Sequence, residues 1–275
     1  MTAHSDRTVV VTGANSGIGL ATVLEVAGRG FRTVGTVRTE EKADVVGKAA
    51  AEAGVAVETE VLDVRDAEGC ARLIETACPF GLVNNAGHGL TGAVEDVDDD
   101  TAREAFETMV LAPARLARLA VPLMREAGAG RIVNISSIYG RATTPLTGWY
   151  QACKHGLEAW SDALRIEVAR DGIDVVLVEP GGFRTGIWSG NERDVEEHAG
   201  SRYEAAYRRT LAITKLTSPL MGDPSRVARV IGRALTVRRP RARYLVGPDA
   251  RSFALAQALT PTALKDRVTR LTMGL

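Results

Sequence analysis

Three side chains near the middle of the chain are of types that together can move a proton at an oxygen atom. Tyr150 and Lys154 stand four positions apart in Tyr150-Gln-Ala-Cys-Lys154, a stretch that reads as the opening of a helix, so both fall on one face. Free tyrosine, with a pKa of about 10, is a poor base near neutrality, and a neighbouring ammonium favours its phenolate. Ser137 comes thirteen residues before the tyrosine, at the end of the apolar run Arg131 to Ser136, where a hydroxyl can orient and polarise an oxygen. Singly these residues are ordinary: a Tyr and a Lys one turn apart are common on helices, and a Ser pair after a strand is often a cap. Jointly they suit general acid/base work at a hydroxyl or carbonyl oxygen.

A second constellation opens the chain. Val9-Val10-Val11-Thr12 runs into Gly13-Ala-Asn15-Ser16-Gly17-Ile18-Gly19, and the helical pattern Leu20 to Gly28 follows. Gly13 permits a tight turn, Gly17 lets backbone N–H groups approach a pyrophosphate, and Gly19 allows helix to pack closely on strand. Three glycines alone would be weak, but their place after the first strand points to a dinucleotide. The second strand ends Gly35-Thr36-Val37-Arg38-Thr39, with no carboxylate to accept from the ribose hydroxyls. Arg38 offers a planar cationic fork to a 2′-phosphate, so NADP(H) is expected ahead of NAD(H), which stays possible. The rival reading of Arg38 is a solvated loop charge.

Such residues need a scaffold that brings strand ends together. Short runs at Thr8 to Thr12, Thr33 to Val37, Val55 to Val61, Gly81 to Asn84, Arg131 to Ser136, Asp174 to Glu179 and Arg243 to Val246 read as strands, with amphipathic stretches between them. Runs so short and continuously apolar predict an α/β fold: one doubly wound parallel sheet, of the Rossmann kind, covered by helices on both sides. One domain over 1–275 is expected. Within it, the irregular 181–222 follows the sixth strand and is placed to cover a substrate as a lid. The tail 248–275 reads as two helices meeting near Thr260-Pro261, able to cover the pocket, meet a partner subunit or touch a membrane surface.

The 34 basic and 34 acidic residues balance, so no net field draws the chain to nucleic acid. Cys70, Cys78 and Cys153 lack metal-ligand spacing, and neither a metal nor a disulfide framework is expected. Without an apolar leader or a run near the ~20 residues of a membrane span, the expected location is the cytoplasm.

Asn84-Asn85-Ala86-Gly87 after the fourth strand, Asn134-Ile-Ser-Ser137 after the fifth, and Tyr150 to Lys154, together with Thr12 to Gly19, resemble the short-chain dehydrogenase/reductase family. The resemblance runs from about Arg7 to about Val246, with the four motifs in the family's order. It is closest to members acting on steroids, retinoids and similar lipophilic alcohols or ketones. It implies hydride transfer between nicotinamide and such a compound, with Ser137, Tyr150 and Lys154 catalytic and Lys154 also holding the nicotinamide ribose. By the same resemblance Asp63 and Val64 meet the adenine, and Asn85, Ala86 and Gly87 line the cofactor site. Pro180, Gly181 and Thr185 belong to the segment that hydrogen-bonds the nicotinamide carboxamide, and Asn84 steadies the sheet. The family's helices corresponding to Thr101 to Arg125 and Trp149 to Arg170 commonly pair, which implies a homodimer or homotetramer.

One departure stands out. Where the family usually carries an asparagine whose side chain, with a local backbone distortion, holds a water in a proton relay through the lysine, this chain has Met109, which donates no hydrogen bond. A catalytically weak, NADP(H)-binding sensor or scaffold is therefore the alternative function. An epimerase or dehydratase on a nucleotide-linked sugar is a weaker rival, since too few residues follow the sixth strand for its usual second domain. Leu90, Leu146, Trp149, Phe183, Trp188 and Tyr203 are expected around the site's mouth, favouring an apolar substrate.

Overall fold

Val9 and Val11 project to one face of their strand and Val10 to the other, and all three are fully buried, as a strand covered on both sides requires. The computed structural model describes residues 4, 6–185 and 196–275 of the chain. Strands β1 (Thr8–Val11), β2 (Arg32–Val37), β3 (Glu58–Val61), β4 (Gly81–Asn84), β5 (Gly130–Ile135), β6 (Ile173–Pro180) and β7 (Arg243–Val246) form one parallel sheet. Their order is β3-β2-β1-β4-β5-β6-β7.

Helices α1 (Gly17–Gly28), α2 (Glu40–Ala53) and α8 (Ser225–Thr236) cover one face, burying Val26, Val46, Ile231 and Leu235 against Val9 and Val11. The other face takes α3 (Ala67–Ala77), α5 (Ala112–Glu126) and α6 (Gly148–Glu167), with Leu73, Leu116 and Met124 packed on Val10, Leu82 and Ile132. Helix α4 (Asp99–Phe106) runs into α5 through one π-helical turn at Glu107–Leu111. Beyond β6 come α7 (Glu204–Thr217), and after β7 the pair α9 (Pro248–Leu259) and α10 (Thr262–Met273). Among the described residues no helix is long and apolar enough to cross a membrane.

One expected strand is longer than the real one. Val55 to Val57 lies outside β3 because Gly54 ends α2 in a left-handed conformation and Val55 is spent closing that helix end, its N–H donating to Ala50. What remains, Glu58 to Val61, pairs only with β2 and is mostly exposed. It is an edge strand and not one of the doubly covered runs.

At the sheet centre Asn84 donates to Asn134 (2.8 Å) and Asn134 to Ser161 of α6 (2.8 Å). The chain of amides locks α6 in rotation and height against β4 and β5, fixing which of its side chains reach the strand ends.

Candidate active site

Strand order reverses between β1 and β4, which opens a crevice beyond their carboxyl ends. Thr12 Oγ1 accepts from the N–H groups of Asn85 (3.0 Å) and Ala86 (2.9 Å). Asn85 Nδ2 donates in return to the carbonyls of Thr12 (2.9 Å) and Gly13 (3.1 Å). These four bonds fasten the two strand ends and draw Gly19 in so tightly that a Cβ would collide with the Gly13 carbonyl and the Asn85 amide. Gly17 has a left-handed φ of 52°, natural to glycine, and a side chain there would press on Thr185 across the crevice. Ser16 starts α1 without a side-chain cap and no acid follows in the first turn, so the free N–H groups and the positive helix end are available to an anion. These residues fit a dinucleotide pyrophosphate.

The cleft encloses about 610 Å³, and every cofactor-binding and catalytic residue expected from the sequence, from Gly13 to Thr185, lines it. At its outer end Arg38 is joined by Lys42 and Arg65, neither of which was anticipated. Lys42, one turn beyond Arg38, was legible as a second cation; Arg65 was not, because its place depends on β3 lying beside β2. Asp63 takes a bidentate bond from Arg65, Nε donating to Oδ1 (3.1 Å) and Nη2 to Oδ2 (2.7 Å), and that guanidinium holds its carboxyl below the usual range.

At the inner end Ser137, Tyr150 and Lys154 are all buried. Ser137 sits just after β5, where its Oγ accepts from the Tyr139 N–H (3.2 Å), and it lines the cleft together with Tyr150. Lys154 Nζ donates to the Ile135 carbonyl (2.9 Å) and stands 5.6 Å from the Tyr150 ring centre. Burial pushes the Tyr150 phenol up to about 12, with the nearby Ser137 hydroxyl opposing it. Burial likewise draws the Lys154 ammonium down to about 8.

Met109 fills the space beside the phenol. It is buried with Ala105, Tyr150 and Cys153, with Leu90 and Phe106 packed against them, and its sulfur lies under Gly87. The π-helical turn is present around it, so the backbone distortion exists without the asparagine that uses it in relatives.

The apolar mouth differs from expectation. Phe183 lines the cleft, but Leu146 and Tyr203 belong to a separate cluster with Ala93, Ala206, Tyr207 and Met273, where they seat α7. Tyr207 anchors that helix, its hydroxyl donating to Asp96 (2.8 Å) and accepting from the Ala93 N–H (2.6 Å). Trp149 packs edge-on against Phe106, and Trp188 lies outside the described residues.

Behind Lys154 the next turn of α6 carries Glu158, buried with the fully buried Glu179 of β6. Arg243 bridges both, 3.1 Å from Glu158 and 3.2 Å from Glu179, and Arg141 meets Glu179 at 2.6 Å. Burial raises the Glu158 carboxyl, and its negative form supports the Lys154 ammonium. Among the described residues no group of His, Cys, Asp or Glu could hold a metal ion.

A parallel sheet with a dinucleotide turn at its switch point, and a buried Ser, Tyr and Lys beside it, defines a nicotinamide-dependent oxidoreductase acting on alcohol or carbonyl groups. The family model for short chain dehydrogenases matches residues 7–196, and the chain belongs to that family. It is 33% identical over 264 residues to the oxidoreductase YusZ of Bacillus subtilis, covering 93% of this chain and 94% of that one. With human retinol dehydrogenase 5 it shares 32% identity over 96% of this chain and 88% of the other. Among solved structures, a short-chain dehydrogenase from Streptomyces avermitilis superposes with a TM-score of 0.79 at 32% identity, covering 98% of this chain and 96% of that one. A variant of actinorhodin polyketide ketoreductase with NADPH gives 0.77 at 30% identity, over 89% and 97%.

Proposed function

We propose that the protein is an NADP(H)-dependent oxidoreductase that moves a hydride between nicotinamide and a lipophilic ketone, aldehyde or secondary alcohol, with Tyr150 as general acid and base. The observation that carries this reading is the gathering of buried Ser137, Tyr150 and Lys154, with Lys154 one turn beyond the tyrosine, on the inner wall of a cleft that begins at the glycine turn. Bound nicotinamide supplies or accepts the hydride and, when oxidised, adds a positive charge beside the phenol.

In reduction Tyr150 donates its proton to the substrate oxygen and Ser137 hydrogen-bonds the same atom. In oxidation the proton returns to Tyr150. Lys154, held by the Ile135 carbonyl, stabilises the phenolate left by donation and orients the ribose through its remaining N–H groups. Burial favours the protonated phenol, which suits it to the acid role.

Preference for the 2′-phosphate is supported by Arg38 and Lys42 at the adenosine end, while the Asp63 charge is taken up by Arg65. A lipophilic substrate is supported by the retinol dehydrogenases among the relatives and by Phe183 and Met109 on the wall. We assign 181–222 the role of lid, tied down through Tyr207. Leu111 and Ile166, 52% and 69% exposed on the side of the π-turn and α6, support pairing of two copies through those elements.

The test is a panel of apolar ketones, aldehydes and secondary alcohols with NADPH, NADH and their oxidised forms, run beside Tyr150→Phe. The variant is expected to bind NADPH normally and lose about 10²–10⁴-fold in kcat; equal turnover by the variant defeats the mechanism. Met109 motivates the second reading, an NADP(H) sensor: tight NADPH binding without turnover on any compound would favour it.

A further inference from the structure

Nine of the fourteen large apolar side chains that are exposed among the described residues fall between Ile213 and the carboxyl end, so the exposure is concentrated on one part of the fold. On α10 the exposed Leu264, Val268 and Leu271 follow helical spacing and make a single stripe. At 100° per residue Lys265 and Arg267 flank that stripe on either side. Leu255 and Leu259, 61% and 73% exposed, repeat the pattern on α9, and Leu216, 79% exposed, lies on α7.

These helices pack beside elements that flank the site without lining the cleft itself. Met273 of α10 joins the cluster that seats α7. Phe253 of α9 meets Tyr139 edge-on at 6.3 Å, and Tyr139 meets Tyr150 in the same way.

We propose that α7, α9 and α10 form a docking face for an anionic lipid bilayer, bringing the mouth of the cleft to the membrane surface. The charge selects this occupant. The three helices hold seven Lys or Arg against three acids, in a chain whose total is balanced. Two of those acids are engaged, Glu204 with Arg208 and Asp249 with the Gly182 N–H. A two-fold contact of this face with itself would set like charge against like charge. An apolar stripe flanked by cations instead matches acyl chains beneath anionic headgroups, the pattern of a helix lying in the interface.

The experiment is sedimentation of the full chain with phosphatidylcholine vesicles, with and without about 30 mol% phosphatidylglycerol; it needs no turnover and stands apart from the reductase reading. Partitioning is expected to be about tenfold stronger onto the anionic vesicles and to collapse at ~0.5 M salt. Leu264→Ser with Leu271→Ser, and separately Lys265→Gln with Arg267→Gln, should each abolish the preference while NADPH binding and Tm are kept. The charge pair carries the test if the serine pair fails to fold. No binding, equal binding to neutral vesicles, binding that both variants retain, or a dimer that the serine pair dissolves would each overturn the proposal.

Discussion

Lys154 is a buried ammonium whose burial lowers its pKa, and its titration should be visible in the kinetics. Its proton is held below a pKa of about 8 and lost above it, so kcat/KM for reduction is expected to fall as pH rises through about 8. A flat profile from pH 7 to 9.5 would count against a required ammonium. The sign for stability is the opposite. Because the folded value lies below that of free lysine, folding expels a proton, and this group's penalty is complete below about 8 and fades as pH climbs toward 10.5. Lys154→Met removes a dehydration cost of about 3 kcal/mol and strands the Ile135 carbonyl at about 2. Thermal melts should therefore show a dead enzyme that is more stable by roughly 1 kcal/mol, or about 2–4 °C. At Met109 the π-turn is already in place, so Met109→Asn should raise turnover several-fold while lowering Tm, because an amide replaces a packed thioether in an apolar cluster; unchanged or lower turnover removes the link between Met109 and slow proton resupply.

Elements hold these residues through a few buried polar contacts whose loss should cost more than their number suggests. Arg243 neutralises Glu158 and Glu179 together, and removing one partner of a buried pair costs about 3–5 kcal/mol. Arg243→Ala should lower the unfolding free energy from urea melts by that amount, whereas Arg184→Ala, which loses an exposed pair with Asp223, should cost less than about 1 kcal/mol. Similar losses for the two would refute the buried-cluster account. The sequence disclosed the strands because β-branched runs such as Val9 to Val11 have one sensible place in a two-sided sheet. It hid the acid cluster because its members come from α6, β6, β7 and the turn after β5, and no local pattern relates them. The π-turn was legible only by resemblance: Glu107 to Leu111 has an ordinary helical composition, and its extra residue is set by packing on α6.

At the scale of the molecule, the glycine turn and Ser137 were readable because each follows the end of an apolar strand, Tyr150 and Lys154 because their spacing of four puts them on one helical face, and a doubly wound sheet gathers those strand ends at one rim. The lid and mouth were less so, since Leu146 and Tyr203 look alike as pocket walls or as the seat of a helix until Asp96 and Ala93 supply hydrogen-bond partners for Tyr207. Ligand binding should stabilise the assembled whole: NADPH at about 100 times its Kd adds about 2.7 kcal/mol, or roughly 5–10 °C in Tm, with a smaller rise for NADH at the same concentration. Equal rises would show that Arg38 and Lys42 do not discriminate. The hydrogen bonds of Thr12 to Asn85 and Ala86 span more than seventy positions, which has a consequence for biosynthesis. A chain still emerging from the ribosome has no nucleotide pocket until β4 has emerged and docked beside β1, so dinucleotide in the cell cannot rescue early misfolded intermediates. Its protective effect is confined to chains in which β1 and β4 have already paired, and cofactor depletion should shorten the lifetime of mature protein without changing the yield of nascent chains.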